Sequence, residues 1–140
     1  MPLDLESLKK AVVAMKGVLA TSDDAELMRG LNRTAQNAIK SGAIQHFEFT
    51  YELCWKFMKR WLETNISPDA ADGVTRRELF RLAAESRLID DVDQWMRHHD
   101  ARNRTSHSYD PQIAESVYQA AHDFARDAEK LLQALEARND

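Results

Sequence analysis

Apolar residues recur at spacings of three and four along most of the chain, which is the pattern of amphipathic α-helices. No segment shows the period of two that is typical of a half-buried strand. A first apolar stripe precedes the capping-type sequence Thr21-Ser22-Asp23-Asp24, and a second stripe follows it. The stripes consist of Leu5, Leu8, Val12, Met15 and Leu19, and then of Leu27, Leu31, Ala35 and Ala38. Ser41-Gly42 comes next and predicts a break or hinge.

The segment 43–63 predicts a helix that is buried on most sides, because its apolar residues cover nearly the whole helix circumference. We therefore expect this helix at the centre of a bundle. Its apolar residues are Ile44, Phe47, Phe49, Tyr51, Leu53, Trp55, Phe57, Met58, Trp61 and Leu62.

Turn and capping signals divide the second half of the chain. Residues 65–73 contain Pro68 and Gly73 and predict a loop. Helix starts follow at Thr75-Arg76-Arg77-Glu78, which has the capping-box pattern, at Asp90 or Asp91, and at Asp110-Pro111. The pattern as a whole predicts one all-helical domain over residues 1–140, with five or six helices.

Composition and charge narrow the class of protein. The N-terminus lacks the basic start and apolar run of a signal peptide, and no apolar stretch approaches the roughly 20 residues that span a bilayer. The single cysteine, Cys54, lies among apolar residues, as expected of a core residue in a reducing compartment. We therefore expect a soluble cytoplasmic protein without membrane contact. The net charge of −4 disfavours nonspecific coating of nucleic acid.

The stretch Arg102-Asn103-Arg104-Thr105-Ser106-His107-Ser108-Tyr109 is the strongest chemical signal in the chain. It combines a fixed cation, an amide, an imidazole and a phenol, which can hold a phosphate and move a proton beside it without a metal. For RNA cleavage, His107 would act as base or acid, Arg102 would clamp the phosphate and Asn103 would orient it. A helix-capping cluster is the alternative structural interpretation.

Helical geometry poses a problem for such a site. In a continuous helix Arg102 and His107 point about 140° apart, whereas Asn103 and His107 share a face. Either the helix unwinds before His107, or a second copy completes the site across a dimer axis.

Other chemical candidates are weaker. His98-His99-Asp100 offers metal-type ligands, but adjacent histidines on a helix point about 100° apart, so we expect no metal site. Glu48 and Glu52 share a helix face and are expected to be solvated or paired with Lys56 and Lys59. No phosphate-binding glycine loop is present, and we expect no cofactor.

Two blocks of the sequence resemble the HEPN-domain proteins of the nucleotidyltransferase substrate-binding family. The first is residues 42–56, GAIQHFEFTYELCWK, which is close to the aromatic central helix of that family. The second runs from Leu88-Ile89-Asp90 through Trp95 to the R-x4-H-x-Y motif at residues 102–109. The similarity extends over nearly the whole chain.

The resemblance implies an antiparallel, up-and-down helical bundle and a homodimer whose two motifs face each other across a cleft. Many members resemble metal-independent endoribonuclease toxins, in which the motif arginine and histidine, here Arg102 and His107, are catalytic with Asn103 in support. In some toxin–antitoxin pairs a minimal nucleotidyltransferase (MNT) transfers AMP to the motif tyrosine, here Tyr109. The alternative is a non-catalytic subunit that presents substrate to the MNT. The intact set of motif residues favours the ribonuclease.

Overall fold

The computed structural model describes residues 2–139, which fold into α-helices and one 3-10 turn, with no strand in this range. The all-helical bundle predicted from the sequence is confirmed. No helix within the described range is both long and apolar enough to cross a bilayer. The helices are α1 (Glu6–Asp23), α2 (Ala25–Arg29), α3 (Arg33–Asn65), α4 (Arg76–Glu85), α5 (Val92–Arg104) and α6 (Pro111–Ala137).

Side-chain caps fix where most of the helices begin. A side-chain oxygen accepts a hydrogen bond from a backbone N–H of the first turn, which otherwise has no partner in the helix. The prediction at Asp110-Pro111 is confirmed, and of the two aspartates before α5 it is Asp91 that forms the cap. The capping residues are Asp24, Asn32, Thr75, Asp91 and Asp110.

The hinge predicted at Ser41-Gly42 is wrong, because α3 passes through both residues without interruption. A glycine inside a helix costs roughly 0.5–1 kcal/mol relative to alanine. The residues that follow, Ala43, Ile44 and Phe47, are all buried in the core. Their burial contributes more than the glycine costs, so packing keeps the helix continuous.

The second predicted stripe is also only partly correct. Residues 27–38 do not form one helix, because α2 ends at Arg29 and α3 begins only at Arg33. The turn between them changes the direction in which the following residues point. As a result, Leu27 is 45% exposed and Ala38 is exposed, rather than lying in the core.

Contacts between chain ends define the direction of α1, α3 and α6. The backbone N–H of Leu3 donates to Asn139 Oδ1 (2.7 Å), so α1 begins where α6 ends. The indole of Trp61, near the end of α3, donates to the carbonyl of Arg138 at the same end of the molecule (3.2 Å). The two long helices α3 and α6 are therefore parallel, and α1 runs antiparallel to both.

Helix α5 completes the up-and-down arrangement. His98 pairs with Asp127, whereas Arg104, further along α5, donates to Ser116 near the start of α6. α5 is thus antiparallel to α6 and also to α3. The end of α5 consequently lies beside the middle of α3, which carries Glu48 and Glu52.

Phe124 of α6 lies at the aromatic centre of the core and is fully buried. Its ring packs edge-to-face against Phe47 of α3 at a centroid distance of 5.0 Å and against Trp95 of α5 at 5.8 Å. It also packs against Tyr51 and His98. One side chain therefore holds three helices in register.

Removal of the Phe124 ring should destabilise the folded protein. We expect Phe124→Ala to lower the free energy of unfolding by about 3–5 kcal/mol, because the cavity loses contacts with three helices. The matched control is Phe49→Ala, since Phe49 is 60% exposed, and it should change stability by no more than about 0.5 kcal/mol. Urea denaturation measures both values, and equal losses would contradict this account of the core.

Candidate functional site at the end of α5

The residues of the R-x4-H-x-Y motif do not share one helix. α5 ends at Arg104, residues Thr105–His107 form a single 3-10 turn, and Asp110 then caps α6. The helix therefore unwinds before His107, which was one of the two arrangements expected from the angle between Arg102 and His107.

Arg102 is held by two carboxylates of the central helix. Its Nε donates to Glu52 Oε1 (3.2 Å), and its Nη1 lies 3.8 Å from Glu48 Oε2. The expected pairing of these carboxylates with Lys56 and Lys59 is not what the structure shows. The guanidinium is partly exposed, so the motif cation is oriented by the bundle and still open to solvent on one side.

Thr105 links the orientation of Arg102 to the end of the helix. The hydroxyl of Thr105 donates to the backbone carbonyl of Arg102 (2.7 Å) and accepts from Arg102 Nη1 (3.1 Å). Thr105 is buried, which limits competition from water for these bonds. The same hydroxyl therefore satisfies a carbonyl at the end of α5 and fixes the guanidinium.

Glu52 is itself held by a neighbouring aromatic residue. The indole Nε1 of Trp55 donates to Glu52 Oε2 (2.8 Å), so both carboxylate oxygens have partners. The guanidinium of Arg76, at the start of α4, lies over the Trp55 ring at 3.7 Å from its centroid, a cation–π contact. Two arginines thus flank this part of α3.

Asn103 and His99 form a second polar group on α5. The Asn103 amide lies 3.4 Å from His99 Nε2, and His99 Nδ1 lies 2.8 Å from the hydroxyl of Tyr51 on α3. The pKa of His99 is lowered, first by partial burial and then by the positive charge of Arg76. Both effects favour the neutral imidazole of His99 over the imidazolium.

His107 and Tyr109 lie on the surface after the turn. The Tyr109 hydroxyl is 3.4 Å from His107 Nδ1, and the two rings are nearly perpendicular with centroids 6.0 Å apart. Tyr109 is 82% exposed. Both side chains are accessible to a ligand or to another protein.

The structure thus places the four predicted site residues in two groups. Arg102 and Asn103 belong to the group that contacts α3, and His107 and Tyr109 form a separate exposed pair. No side-chain hydrogen bond joins the two groups within residues 2–139. The sequence pointed to Glu48, Glu52 and His99 only as weaker candidates with other roles, and it did not point to Tyr51 or Thr105. Only tertiary packing brings these residues next to the motif.

Two of the weaker candidates belong to the core. His98 is buried, and its Nε2 lies 2.6 Å from Asp127 Oδ2, whereas His99 contacts Tyr51 on a different side of α5. The two adjacent histidines therefore have separate partners, as their helical angle predicts. Cys54 is buried, as expected, and burial raises the pKa of its thiol well above the ordinary value.

Comparison with known proteins identifies the family. A family model described as nucleotidyltransferase substrate binding protein like matches residues 3–137, which is nearly the whole chain. The chain belongs to this family. It is also 34% identical over 138 residues to a Haemophilus influenzae protein named probable ribonuclease HepT, covering 98% of this chain and 94% of that protein.

Solved structures agree with this assignment. A Haemophilus influenzae protein, described as having the fold of a substrate binding domain of a nucleotidyltransferase, matches with a TM-score of 0.91 and 33% identity. The match covers 95% of this chain and 99% of that structure. A protein from Thermus thermophilus matches with a TM-score of 0.73 and 25% identity, covering 91% and 98%. The bundle of this chain is thus similar over nearly its whole length to both solved structures.

The lowered pKa of His99 predicts a pH dependence of stability. The unfolded chain binds a proton at the ordinary pKa of 6.5, whereas folded His99 binds it only at lower pH. The contribution of neutral His99 to the free energy of unfolding is therefore fully present above about pH 6.5. It is lost as the pH falls through the pKa of His99 in the folded protein. Relative to His99→Gln, the wild-type protein should lose additional stability on acidification. Chemical denaturation at a series of pH values measures this, and parallel curves for the two proteins would refute it.

Proposed function

We propose that this protein is a metal-independent endoribonuclease toxin of a HEPN/MNT toxin–antitoxin pair, acting in the cytoplasm. Arg102, Asn103 and His107 form its active site, and Tyr109 is the site at which it is silenced. The observation that carries the proposal is the intact Arg–Asn–His–Tyr set at the end of α5, with His107 and Tyr109 exposed and Arg102 oriented by α3. The resemblance to a probable ribonuclease supports it.

The chemistry requires only these groups and the RNA itself. A base removes the proton of a ribose 2′-hydroxyl, whose oxygen attacks the adjacent phosphorus as the bond to the 5′-oxygen breaks. An acid returns a proton to the leaving oxygen. His107 performs one of these proton transfers, and Arg102 binds the phosphate oxygens, on which negative charge increases.

A homodimer resolves the separation of the two groups of motif residues. Within one chain the Arg102 side chain pairs with Glu48 and Glu52, whereas the side-chain hydrogen bond of His107 within residues 2–139 is to Tyr109. In a two-fold dimer with the motifs facing each other, Arg102 of one copy acts with His107 of the other on the same phosphate. The site is therefore complete only when two copies meet.

Regulation follows from the exposure of Tyr109. In the proposed reaction a cognate MNT nucleotidyltransferase joins the Tyr109 oxygen to the α-phosphorus of ATP, and pyrophosphate leaves. Tyr109 lies at a cleft that Lys40 and Ser41 of α3 also line, so an attached AMP has room beside the motif. The added phosphate and its negative charge would block RNA from His107, which is within 3.4 Å of the modified oxygen.

The second candidate function is a non-catalytic subunit that presents substrate to the nucleotidyltransferase. One observation favours this function. Arg102 is already paired with Glu48 and Glu52, and such a group of charges suits the binding of a cationic or hydrogen-bonding substrate. The description of the related Haemophilus influenzae structure also favours it. RNA cleavage decides between the two functions.

Purified protein should cleave single-stranded or loop RNA in the presence of a chelator. We expect His107→Ala and Arg102→Ala each to reduce the cleavage rate by about 100-fold or more, since one removes the proton-transfer group and the other the phosphate clamp. Gel analysis of labelled RNA, with circular dichroism to verify folding, measures this effect. The control is His122→Ala, because His122 pairs with Asp23 away from the motif.

The same assay tests the shared site. Mixing the Arg102→Ala and His107→Ala proteins produces mixed dimers that contain one intact composite site. Random exchange should restore about one quarter of the wild-type rate, because half of the dimers are mixed and each has one of its two sites. No recovery would refute the shared site, and no cleavage by unmodified wild-type protein would refute the enzyme and favour the substrate-binding subunit.

Co-expression with the cognate nucleotidyltransferase should add one AMP to Tyr109. Intact-protein and peptide mass spectrometry detect the adduct, and Tyr109→Phe should abolish it. Tyr118 provides an internal control, because its hydroxyl is buried against Ser22 and should remain unmodified. A protein that loses RNA cleavage upon co-expression without an adduct on Tyr109 would contradict this mode of regulation.

A further inference from the structure

The buried hydroxyl of Tyr51 forms a hydrogen bond to His99, which lies next to Asn103 of the motif. Tyr51 lies in the middle of α3 and is only 1% exposed. Its hydroxyl lies 2.8 Å from His99 Nδ1, and within residues 2–139 this is the hydrogen bond that the hydroxyl makes. A buried O–H without an acceptor costs about 1–3 kcal/mol. The Tyr51 hydroxyl therefore donates to Nδ1, rather than accepting from it.

This direction determines the tautomer of His99. A nitrogen that accepts a hydrogen bond carries no proton, so neutral His99 has its proton on Nε2. The opposite tautomer would leave the Tyr51 proton without an acceptor. Tyr51 thus sets which ring nitrogen of His99 can donate.

The tautomer in turn orients the Asn103 amide. The amide group approaches Nε2 through Nδ2, at 3.4 Å, but two N–H groups cannot bond to each other. A half-turn of the amide exchanges its nitrogen and oxygen at nearly the same positions. In that orientation Asn103 Oδ1 accepts from His99 Nε2, and the amide NH2 group points away from the ring toward solvent.

The charges around His99 maintain this arrangement. Glu52 of α3, Arg76 of α4, and Asp100 and Arg102 of α5 all act on its ring, with partial burial and Arg76 the strongest influences against a second proton. An imidazolium would carry a proton on Nδ1 and could not accept from Tyr51. The neutral state is therefore required for the full chain of hydrogen bonds.

We propose that Tyr51 and His99 are positioning residues that fix the Asn103 amide with its NH2 group facing the RNA phosphate. The hydrogen bonds run from the Tyr51 hydroxyl to His99 Nδ1, and from His99 Nε2 to Asn103 Oδ1. Asn103 directly follows Arg102, so the oriented NH2 group adds a neutral donor beside the guanidinium. The role in catalysis rests on the proposed ribonuclease function, whereas the tautomer does not depend on it.

Nitrogen NMR of the wild-type protein tests the tautomer without any activity assay. Long-range nitrogen–proton correlation spectra near neutral pH, assigned by comparison with His99→Gln, should show His99 Nδ1 unprotonated and Nε2 protonated. In Tyr51→Phe the preference for this tautomer should decrease. A proton on Nδ1 in the wild-type protein would overturn the proposal.

RNA cleavage tests the positioning role. Tyr51→Phe should lower kcat by about tenfold with little change in KM, since one hydrogen bond of the chain is lost and the phosphate clamp remains. In a plot of kcat against pH, the acidic limb should move to higher pH. The reason is that the pKa of His99 rises when the Tyr51 hydroxyl, which stabilises the neutral ring, is absent. The matched control is Thr50→Val, which removes a buried hydroxyl that donates to the carbonyl of Ala11 on α1 and should leave kcat unchanged.

A double-mutant comparison separates positioning from a general loss of stability. Once Asn103→Ala has removed the amide, Tyr51→Phe should cause no further decrease in kcat, because both changes break the same chain. Additive losses, or equal effects of Tyr51→Phe and Thr50→Val, would overturn the proposal. If the wild-type protein does not cleave RNA, the proposed function fails, and the NMR measurement still decides whether the hydrogen-bond chain exists.

Discussion

The edge-to-face packing of Phe124 against α3 and α5 is the contact on which the site depends. The two groups that meet at the site, the carboxylates of α3 and the arginine of α5, come from helices that are not adjacent in sequence. Phe124 touches Phe47 and Trp95 and so fixes the relative positions of these two helices. The polar geometry at the surface is thus a consequence of apolar geometry in the core.

The second constraint is electrostatic. Glu48 and Glu52 orient the Arg102 guanidinium on an acidic protein, and in the proposed ribonuclease this guanidinium binds the phosphate. The same carboxylates reduce the positive potential that an RNA would meet, so the site combines precise orientation with moderate attraction for anions. This combination suits recognition of one phosphate at a defined place better than tight binding along a strand.

Local sequence signals predicted the parts of the fold that depend on neighbouring residues. The caps at Thr75 and Asp110 and the central aromatic helix could be predicted, because capping and periodicity act over a few residues. The break at Gly42 was predicted wrongly, since a local preference of about 1 kcal/mol was outweighed by tertiary burial. The motif was visible in the sequence, but the partner of Arg102 was not. Glu48 and Glu52 have nearer lysines in sequence, and only the antiparallel packing of α3 and α5 selects the arginine.

The double role of Thr105 restricts which sequences this family member can tolerate at the end of α5. A valine there would keep the shape and the burial but lose both bonds of the hydroxyl, to the Arg102 carbonyl and to its guanidinium. One buried hydroxyl therefore couples the last carbonyls of α5 to the orientation of the Arg102 side chain, and a single substitution at position 105 would disturb both.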